Sequence, residues 1–572
     1  MYFHVLAADF DGTLAHDGAV DDATVQALER FRATGRKLVM VTGRELPALQ
    51  QCFPRLELFD LVVAENGALL YEPDSRSERP LAPPPPEAFV QRLRERDVAP
   101  MSVGCSIVAT WEPHQHIVLQ AIHDLGLEMQ IIFNKGAVMV LPAGCNKASG
   151  LRAALAELGL SPLNTAAIGD AENDHAMLAM AGLGVAVSNA VPMLKQRADR
   201  VTAGARGAGV VELIDAILQG DGELAPPARH SVALGVTQEG TQVGLPASSG
   251  HAVLIAGSSG IGKSTLATAL TERMVERGFQ FCVFDPEGDY DELEHSVVVG
   301  SAKTPASAEE ALDLLREPAN NVVINTLALG MDERPPFFAD LLPQLASLRG
   351  VFARPHWLVI DEAHHLLPMT RRTTHVSLPK DLPAAILITV HPEAVSVDLL
   401  KLVDTVIALG EGAPKVIESF CASVGIAVPQ GLVPPDDNRV LWWSRSSGAP
   451  PREVTVAMPR QKHKRHTRKY AEGDLGDESF RFRGPHGKLD LKAQNLALFL
   501  QIADGVDDET WEFHRQAGDY SRWFRDVIKD AELAAEAASI EEGDQPDVAA
   551  ARAAIREAVE RRYTAPASTE DR

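Results

Sequence analysis

A glycine-rich loop between an apolar strand and a helix constrains this chain more than any other feature. The apolar run Val253–Ala256 leads into Gly257-Ser258-Ser259-Gly260-Ile261-Gly262-Lys263-Ser264-Thr265, and a helical pattern continues over Thr265–Arg277. The loop matches G-x-x-x-x-G-K-[ST] in full. In such a loop backbone N–H groups surround the phosphates, Lys263 reaches the β- and γ-phosphates, and Ser264 faces Mg²⁺. The pattern predicts a parallel α/β domain whose ATP site contains Gly257, Gly260, Gly262, Lys263, Ser264 and Thr265.

A second apolar strand, Trp357–Ile360, ends in the acidic pair Asp361-Glu362. We expect Asp361 to hold Mg²⁺ through water and Glu362 to activate the water that attacks ATP. A kinase that transfers phosphate to a small molecule has no use for an activated water. The pair therefore predicts ATP hydrolysis, with Glu362 as a catalytic residue.

Two further segments extend this pattern. Asp285-Pro286-Glu287-Gly288-Asp289-Tyr290 follows another strand, and Ala363-His364-His365 follows the acidic pair. Together with the two motifs above, they resemble the HerA/FtsK-like branch of the RecA-type ATPases over about residues 231–458. The resemblance implies ATP hydrolysis, and a homo-oligomer is consistent with it. The strand Ala385–Val390 ends in His391-Pro392 where the branch usually carries Gln, so translocation along DNA is not supported.

Carboxylates, a hydroxyl and a lysine follow successive strands of the first 218 residues. They occur in Asp9-Phe10-Asp11-Gly12-Thr13-Leu14, in Val41-Thr42-Gly43-Arg44, at Lys147 where a helix opens, and in Gly169-Asp170-Ala171-Glu172-Asn173-Asp174. The carboxyl ends of parallel strands are where α/β folds place their chemistry. Two carboxylates two residues apart can divide nucleophilic attack from proton transfer. Oxygen-rich acids suit Mg²⁺, and a hydroxyl with exposed N–H groups suits phosphate.

These four motifs, in this order, resemble the haloacid dehalogenase-like (HAD) phosphatase superfamily over residues 1–218. The likeness is greatest to the Cof-type branch, whose cap is inserted between the second and third motifs. Here an α+β segment at about residues 69–141 interrupts the strand–helix alternation. Ala64-Glu65-Asn66-Gly67-Ala68 and Val187-Ser188-Asn189-Ala190 are further landmarks of that branch. The resemblance implies a Rossmann-like domain with an inserted cap, acting on a sugar phosphate or another small phosphorylated metabolite.

The resemblance also implies a role for each motif residue. Asp9 is the expected nucleophile, which forms a phosphoaspartate, and Asp11 is the expected general acid and base. Thr42 and Lys147 are expected to bind phosphate. The expected Mg²⁺ ligands are Asp9, the carbonyl of Asp11 and Asp170, with Asp174 in or behind that shell.

Changes in composition and Pro/Gly-containing or charged segments divide the chain into domains. We predict a HAD phosphatase domain at 1–218, a polar linker at 219–230, a RecA-like P-loop domain at 231–458, a basic linker at 459–470 and a small acidic α-helical module at 471–572. In that module the pattern predicts helices over about 489–538 and 548–562. The net charge of −24 does not favour nucleic acid as a partner, because binding rests on Lys and Arg. The absence of a long apolar run, a secretory N-terminus or a cysteine framework predicts a cytoplasmic protein with no membrane partner.

Three functions remain open at this point. The first is a Mg²⁺-dependent phosphatase coupled to, or regulated by, an ATPase. The second is a polynucleotide kinase–phosphatase that processes nucleic-acid ends, against which stand the acidic balance and the cap. The third is an ATP-driven oligomeric interaction protein with a vestigial phosphatase, against which stand the intact Asp9, Asp11, Lys147 and Asp170.

Overall fold

A computed structural model of the chain describes residues 2–224, 226–247, 251–330, 332–367, 384–436, 438–460, 479–528, 530–543 and 547–563. The chain forms two compact units, Met1–Arg460 and Gln461–Arg572. The predicted basic linker lies almost wholly outside the described residues. None of the described helices combines the length and hydropathy needed to cross a membrane.

Outside the cap, residues 1–218 alternate between strands and helices, as predicted, and a short helix follows at Pro227–His230. The strands are Val5–Ala8 (β1), Lys37–Val41 (β2), Leu61–Ala64 (β3), Leu69–Glu72 (β4), Ser77–Pro80 (β5), Ser102–Val103 (β6), Val108–Trp111 (β7), Met129–Asn134 (β8), Ala137–Pro142 (β9), Thr165–Gly169 (β10), Leu183–Ala186 (β11) and Arg200–Val201 (β12). The helices are Asp22–Ala33 (α1), Leu46–Cys52 (α2), Glu87–Glu95 (α3), Gln115–Asp124 (α4), Lys147–Glu157 (α5), His175–Met180 (α6), Pro192–Arg197 (α7), Gly207–Gly220 (α8) and Pro227–His230 (α9).

Eight of these strands form the main sheet, in the order β12-β11-β10-β1-β2-β3-β4-β5. The strands from β12 to β3 pair in parallel, and β4 and β5 add an antiparallel edge. Every residue of β1, β3 and β10 is buried, as an apolar strand requires when helices cover both faces of a parallel sheet. Helix α1 begins where the Asp21 carboxylate accepts a hydrogen bond from Thr24 N at 2.7 Å.

The cap is a separate four-stranded antiparallel sheet in the order β6-β7-β9-β8. Helices α3 and α4 pack with Val108 and Val140 on one face, while Met139 and Leu141 lie in a separate apolar cluster. Residues 69–80, predicted to open the cap, instead extend the main sheet as β4 and β5. β6 and β7 pair antiparallel, and in the turn between them the backbone N–H groups of residues 105–107 bind a carboxylate described below.

The second α/β region follows in the same unit. Its strands are Ser231–Thr237 (β13), Gln242–Pro246 (β14), Ala252–Ala256 (β15), Phe281–Asp285 (β16), Ser296–Val299 (β17), Asn321–Asn325 (β18), Trp357–Ile360 (β19), Ala384–Thr389 (β20), Val403–Leu409 (β21), Arg439–Ser444 (β22) and Arg452–Val456 (β23). Its helices are Lys263–Glu276 (α10), Ala308–Arg316 (α11), Arg334–Phe352 (α12), Ala363–Leu366 (α13), Val397–Leu400 (α14) and Ala413–Val424 (α15). The sheet order is β14-β13-β23-β22-β21-β15-β20-β19-β16-β18-β17, and the strands from β21 to β17 pair in parallel.

The two α/β regions are joined through buried polar groups at the amino ends of their strands. His356, which directly precedes β19, donates from Nε2 to Asn164 Oδ1 at 2.9 Å, and Asn164 directly precedes β10. Asn164 Nδ2 in turn donates to the carbonyl of Tyr2 at 3.0 Å. Beside this contact Arg354 donates to the carbonyl of Gly159 at 2.6 Å. We call the contacts of His356, Asn164, Arg354 and Gly159 the joint.

The predicted linker 219–230 is packed rather than extended. The Asp221 carboxylate accepts hydrogen bonds from Tyr2 N at 2.5 Å and from Arg36 Nη2 at 3.0 Å. His230 pairs with the hydroxyl of Tyr2 at 2.5 Å and donates to the carbonyl of Gly182 at 2.7 Å. The polar side chains of this segment suggested a linker in the sequence, but their hydrogen-bond partners are distant in the chain.

The C-terminal unit is a hairpin with five helices in its described part. The strands are Phe480–Phe482 (β24) and Leu491–Ala493 (β25), and the helices are Leu496–Gly505 (α16), Asp508–Gln516 (α17), Asp519–Asp526 (α18), Ala531–Glu542 (α19) and Val548–Tyr563 (α20). Phe482, Phe499, Trp511 and Tyr520 belong to one buried cluster. The helical prediction for residues 489–495 is wrong: β25 pairs with β24, and Asn495 caps α16 by accepting from Leu498 N at 2.8 Å.

Candidate active sites

The structure brings the predicted carboxylates and lysine of the first region together at one edge of the sheet. Asp9 follows β1, Asp170 and Asp174 follow β10, and Lys147 opens α5. The Lys147 ammonium lies 2.6 Å from Asp9 Oδ1 and 2.5 Å from Asp174 Oδ1. Asp174 Oδ2 also accepts hydrogen bonds from the backbone N–H groups of Asp170 and Ala171, at 2.8 and 2.9 Å.

This cluster carries more negative charge than its lysine balances. Burial and the charge of Asp174 raise the pKa of Asp9 to about 8, against the opposing effect of Lys147. Burial lowers the pKa of Lys147, but the charges of Asp174 and Asp9 outweigh it, so the pKa lies above its ordinary value. Burial also raises the pKa of Asp170. A further cation would stabilise the ionised carboxylates.

The donor set fits a hard divalent cation. Carboxylate oxygens of Asp9, Asp170 and Asp174 lie within 4.8 Å of one another. The buried Oδ1 of Asp170 has no hydrogen-bond partner within the part of the chain that the structure describes. Several oxygen ligands and a carboxylate oxygen left unpaired are what Mg²⁺ requires.

Asp11 and Thr42 lie beside this cluster. Arg44 binds the Asp11 carboxylate with two hydrogen bonds, from Nε at 2.7 Å and from Nη2 at 2.6 Å. Thr42 is buried, and its Oγ1 accepts from Arg44 N at 3.1 Å. The sequence placed Arg44 next to a phosphate-binding motif but did not reveal its pairing with Asp11, because the two residues follow different strands.

The cap closes over this edge through two contacts that the sequence did not predict. The carboxylate of Glu65, 2% exposed, accepts hydrogen bonds from the backbone N–H groups of Cys105 and Ser106 at 2.7 Å and of Ile107 at 3.2 Å. Lys135, at the tip of the β8–β9 hairpin, forms an ion pair with Asp170. A cap lysine therefore reaches the acidic cluster.

The glycine-rich loop of the second region has the predicted form. Gly260 and Gly262 have φ of +76° and +101°, a conformation that glycine adopts without strain. Lys263, 3% exposed, opens α10 and donates to the carbonyls of Gly257 and Ser258 at 3.1 and 3.0 Å. Ser264 and Thr265 lie in the first helical turn, where N–H groups and the helix dipole favour an anion.

The acidic pair lies at the same edge of the second sheet. Asp361 and Glu362 follow β19, which is separated from β15 by β20. Asp361 Oδ1 accepts from Glu362 N at 2.9 Å. His364 Nδ1 lies 3.4 Å from Glu362 Oε2 and 3.0 Å from Thr389 Oγ1, at the end of β20. The order β15-β20-β19 therefore brings the loop and the acidic pair to one end of the sheet.

Asp285 closes its own turn. Its carboxylate accepts from the backbone N–H groups of Glu287, Asp289 and Tyr290, at 3.2, 3.0 and 2.9 Å. Burial raises the pKa of Asp285 to about 7 against the effect of those hydrogen bonds. The segment 285–290 thus acts at least as a structural turn after β16.

Fold and sites together define a capped Rossmann-like hydrolase joined to a P-loop domain. The chain belongs to the haloacid dehalogenase-like hydrolase family, whose sequence profile matches residues 6–104 and 120–214. Residues 235–349 match the profile of helicase HerA, central domain, which is P-loop ATPase-like. These matches confirm the predicted families and the predicted fold class.

Three phosphatases are each similar to about a third of this chain. Phosphoglycolate phosphatase 1 of Saccharolobus solfataricus is 28% identical over 233 residues, which span 38% of this chain and 96% of the relative. Phosphoglycolate phosphatase of Natronomonas pharaonis is 31% identical over 222 residues, 37% of this chain and 96% of the relative. HMP-PP phosphatase of Cronobacter sakazakii is 28% identical over 231 residues, 33% of this chain and 85% of the relative.

Proposed function

We propose that residues 1–218 are a Mg²⁺-dependent phosphomonoester hydrolase that forms a phosphoaspartate on Asp9. The observation that carries the proposal is the buried contact of Lys147 with Asp9 and Asp174, at 2.6 and 2.5 Å, at the carboxyl edge of the sheet. A buried ammonium beside the attacking carboxylate can hold a phosphate dianion against it. Asp9, Asp170 and Asp174 would hold the Mg²⁺ ion, which supplies positive charge to the phosphate oxygens.

The chain's own residues account for the remaining steps. Asp9 attacks phosphorus, and the bond to the leaving oxygen breaks as Asp11 gives that oxygen a proton. Asp11 then takes a proton from the water that hydrolyses the phosphoaspartate and restores Asp9. Arg44 orients the Asp11 carboxylate, while Thr42 and Lys147 bind the phosphate oxygens.

Cap closure and the named activities of the relatives support a small substrate. The cap residues Lys135 and Met139 lie against Asp170 and Gly43, so a bulky polymer end would have to displace them. Two of the relatives above are named phosphoglycolate phosphatases. We therefore propose phosphoglycolate, or another small phosphomonoester such as a sugar phosphate, as the substrate. The net charge of −24 also disfavours the nucleic-acid alternative.

For residues 231–458 we propose binding and hydrolysis of ATP. Lys263 and Ser264 would contact the phosphates and Mg²⁺, Asp361 would complete the ion's ligands, and Glu362 would activate water. We further propose that ATP regulates the phosphatase, because the joint packs the two regions against each other. A homo-oligomer and a cytoplasmic location stay predictions.

Phosphate release by the wild type, Asp9→Asn and Lys263→Ala tests both activities. The substrates are phosphoglycolate, a sugar phosphate, a 3′-phosphorylated oligonucleotide and ATP, each with and without Mg²⁺. We expect Asp9→Asn to lose only the small-substrate activity and Lys263→Ala to lose ATP hydrolysis. Dependence of the small-substrate activity on both ATP and Lys263 would establish regulation. Release from the oligonucleotide alone would favour end processing instead.

A further inference from the structure

The tip of the β8–β9 hairpin presents a lysine in an uncommon backbone conformation. Asn134 pairs with Ala137, so Lys135 and Gly136 form a two-residue turn. Their φ values are +48° and +90°, as in a type I′ turn. A long side chain rarely occupies this region of φ, where glycine and asparagine are favoured. A backbone hydrogen bond also fixes the turn, because Glu112 N donates to the carbonyl of Gly136 at 3.0 Å.

This turn points the lysine into the acidic site. Its ammonium pairs with Asp170 and lies 2.9 Å from where a Cβ on Gly12 would be. Gly12 directly follows Asp11, the proposed proton donor to the leaving oxygen. The ammonium thus lies beside the loop that carries the proposed proton donor, and Lys135 is the only lysine between residues 69 and 141.

The other cations of the described site have different anions. Lys147 contacts Asp9 and Asp174, and Arg44 holds Asp11. Asp170, the partner of Lys135, is a proposed Mg²⁺ ligand. A bound divalent ion would compete for that carboxylate, and a lysine half exposed at the tip can turn to another anion.

We propose that Lys135 is a specificity-determining residue that binds a second anionic group on the leaving part of the substrate. This inference rests on the proposed phosphatase function and narrows it to small phosphomonoesters that carry a carboxylate near the ester oxygen. Lys135 takes no part in the transfer of phosphate itself. It selects the substrate when the cap is closed.

Two nearly isosteric substrates test this. Phosphoglycolate carries a carboxylate where 2-hydroxyethyl phosphate carries an uncharged hydroxymethyl group. We expect Lys135→Ala to lower kcat/KM for phosphoglycolate by about 10- to 100-fold, because a hydrogen bond to a charged group is lost. The loss should fall mainly in KM, and Lys135→Arg should restore most of it. For 2-hydroxyethyl phosphate the change should stay within about twofold.

Arg94→Ala is the matched control. Arg94 is exposed on α3, which packs on the face of the cap sheet that carries Val108 and Val140. Its substitution should leave kcat/KM unchanged for both substrates. Thermal melting of each variant verifies folding. An equal loss for both substrates in Lys135→Ala would overturn the inference and leave the phosphatase function standing. If the wild type cleaves neither compound nor any other small phosphomonoester, the proposed function is wrong and the inference falls with it.

Discussion

Substituting His356 by Asn should loosen the joint between the two α/β regions without unfolding either. His356 is 2% exposed, its Nδ1 accepts from Gln280 N at 2.9 Å, and its Nε2 donates to Asn164 at 2.9 Å. The amide of Asn can replace the acceptor at the Nδ1 position, but it is too short to reach Asn164. The substitution therefore removes the bond across the joint and keeps the bond within the second region.

The expected loss of stability in His356→Asn has two sources, an unpaired oxygen and a cavity. The buried Oδ1 of Asn164 loses its donor, which costs about 1–3 kcal/mol. The two ring atoms that Asn lacks leave a small cavity, which adds about 1 kcal/mol. We therefore expect the free energy of unfolding to fall by about 2–4 kcal/mol, a large part of the 5–15 kcal/mol typical of a domain.

Thermal and urea unfolding with and without MgATP is the assay. A nucleotide at about 100 times its Kd stabilises the state that binds it by about 2.7 kcal/mol. In the wild type this gain should reach the first region, measured as protection of β1 and β10 amides from hydrogen exchange. In His356→Asn the gain should stay within residues 231–458.

The control and the contrary result are specific. His123→Ala removes a histidine whose side chain is 82% exposed in the cap, and it should leave every midpoint unchanged. His356→Gln should keep the hydrogen bond to Asn164, because its longer side-chain amide reaches that residue. It should lose the bond within the second region, because it offers no acceptor to Gln280 N. If His356→Asn unfolds at the wild-type midpoint, and ATP still protects β1, the joint does not couple the two regions.

Two further predictions concern the cap and the acid limit of stability. Glu65→Gln replaces a carboxylate oxygen by an NH₂ group and so leaves fewer acceptor sites for the three N–H groups of residues 105–107. The backbone amides of these residues should then exchange hydrogen at least about tenfold faster than in the wild type. Unchanged protection from exchange would contradict the contact. Burial lowers the pKa of His4 to about 4 and that of His356 well below its ordinary value. Because the unfolded state binds these protons first, the contribution of these two histidines to stability should be full above pH 6.5 and be lost as pH falls toward 4. The raised pKa values of Asp9 and Asp285 act in the opposite direction over this range, so the measurement is the difference in urea midpoint between the wild type and His4→Gln. A difference that stays constant from pH 6.5 to pH 4 would refute the contribution of His4.

The sequence was most informative where the chemistry follows local rules. Asp9 and Asp170 each directly follow an apolar strand, and the parallel pairing of β1 with β10 brings them to one edge of the sheet. The Gly257–Thr265 loop likewise carries its own backbone geometry in its glycines. Such features depend on neighbours in the chain, and a single sequence records them.

The contacts that the sequence did not reveal join residues far apart in the chain. His356 and Asn164 are 192 positions apart, and Glu65 and Ser106 are 41 apart. Nothing in a buried histidine or in a strand-forming run shows which surface it will meet. The turn between β6 and β7 is an example, because the backbone N–H groups of residues 105–107 donate to the Glu65 carboxylate from a distant part of the chain.

The positions of joint and sites limit how the proposed ATPase can act on the proposed phosphatase. His356 directly precedes β19 and Asp361 directly follows it, while Asn164 and Asp170 flank β10 in the same way. Each joint residue is thus separated from the acid on its own strand by five or six residues, roughly 17–20 Å of extended chain. The joint therefore lies at the amino ends of β10 and β19, whereas both proposed sites lie at the carboxyl ends of these strands. Close-packed interiors are nearly incompressible. We therefore expect ATP binding to alter the phosphatase activity by stabilising the unit that both regions share, and not by transfer of a product from one site to the other.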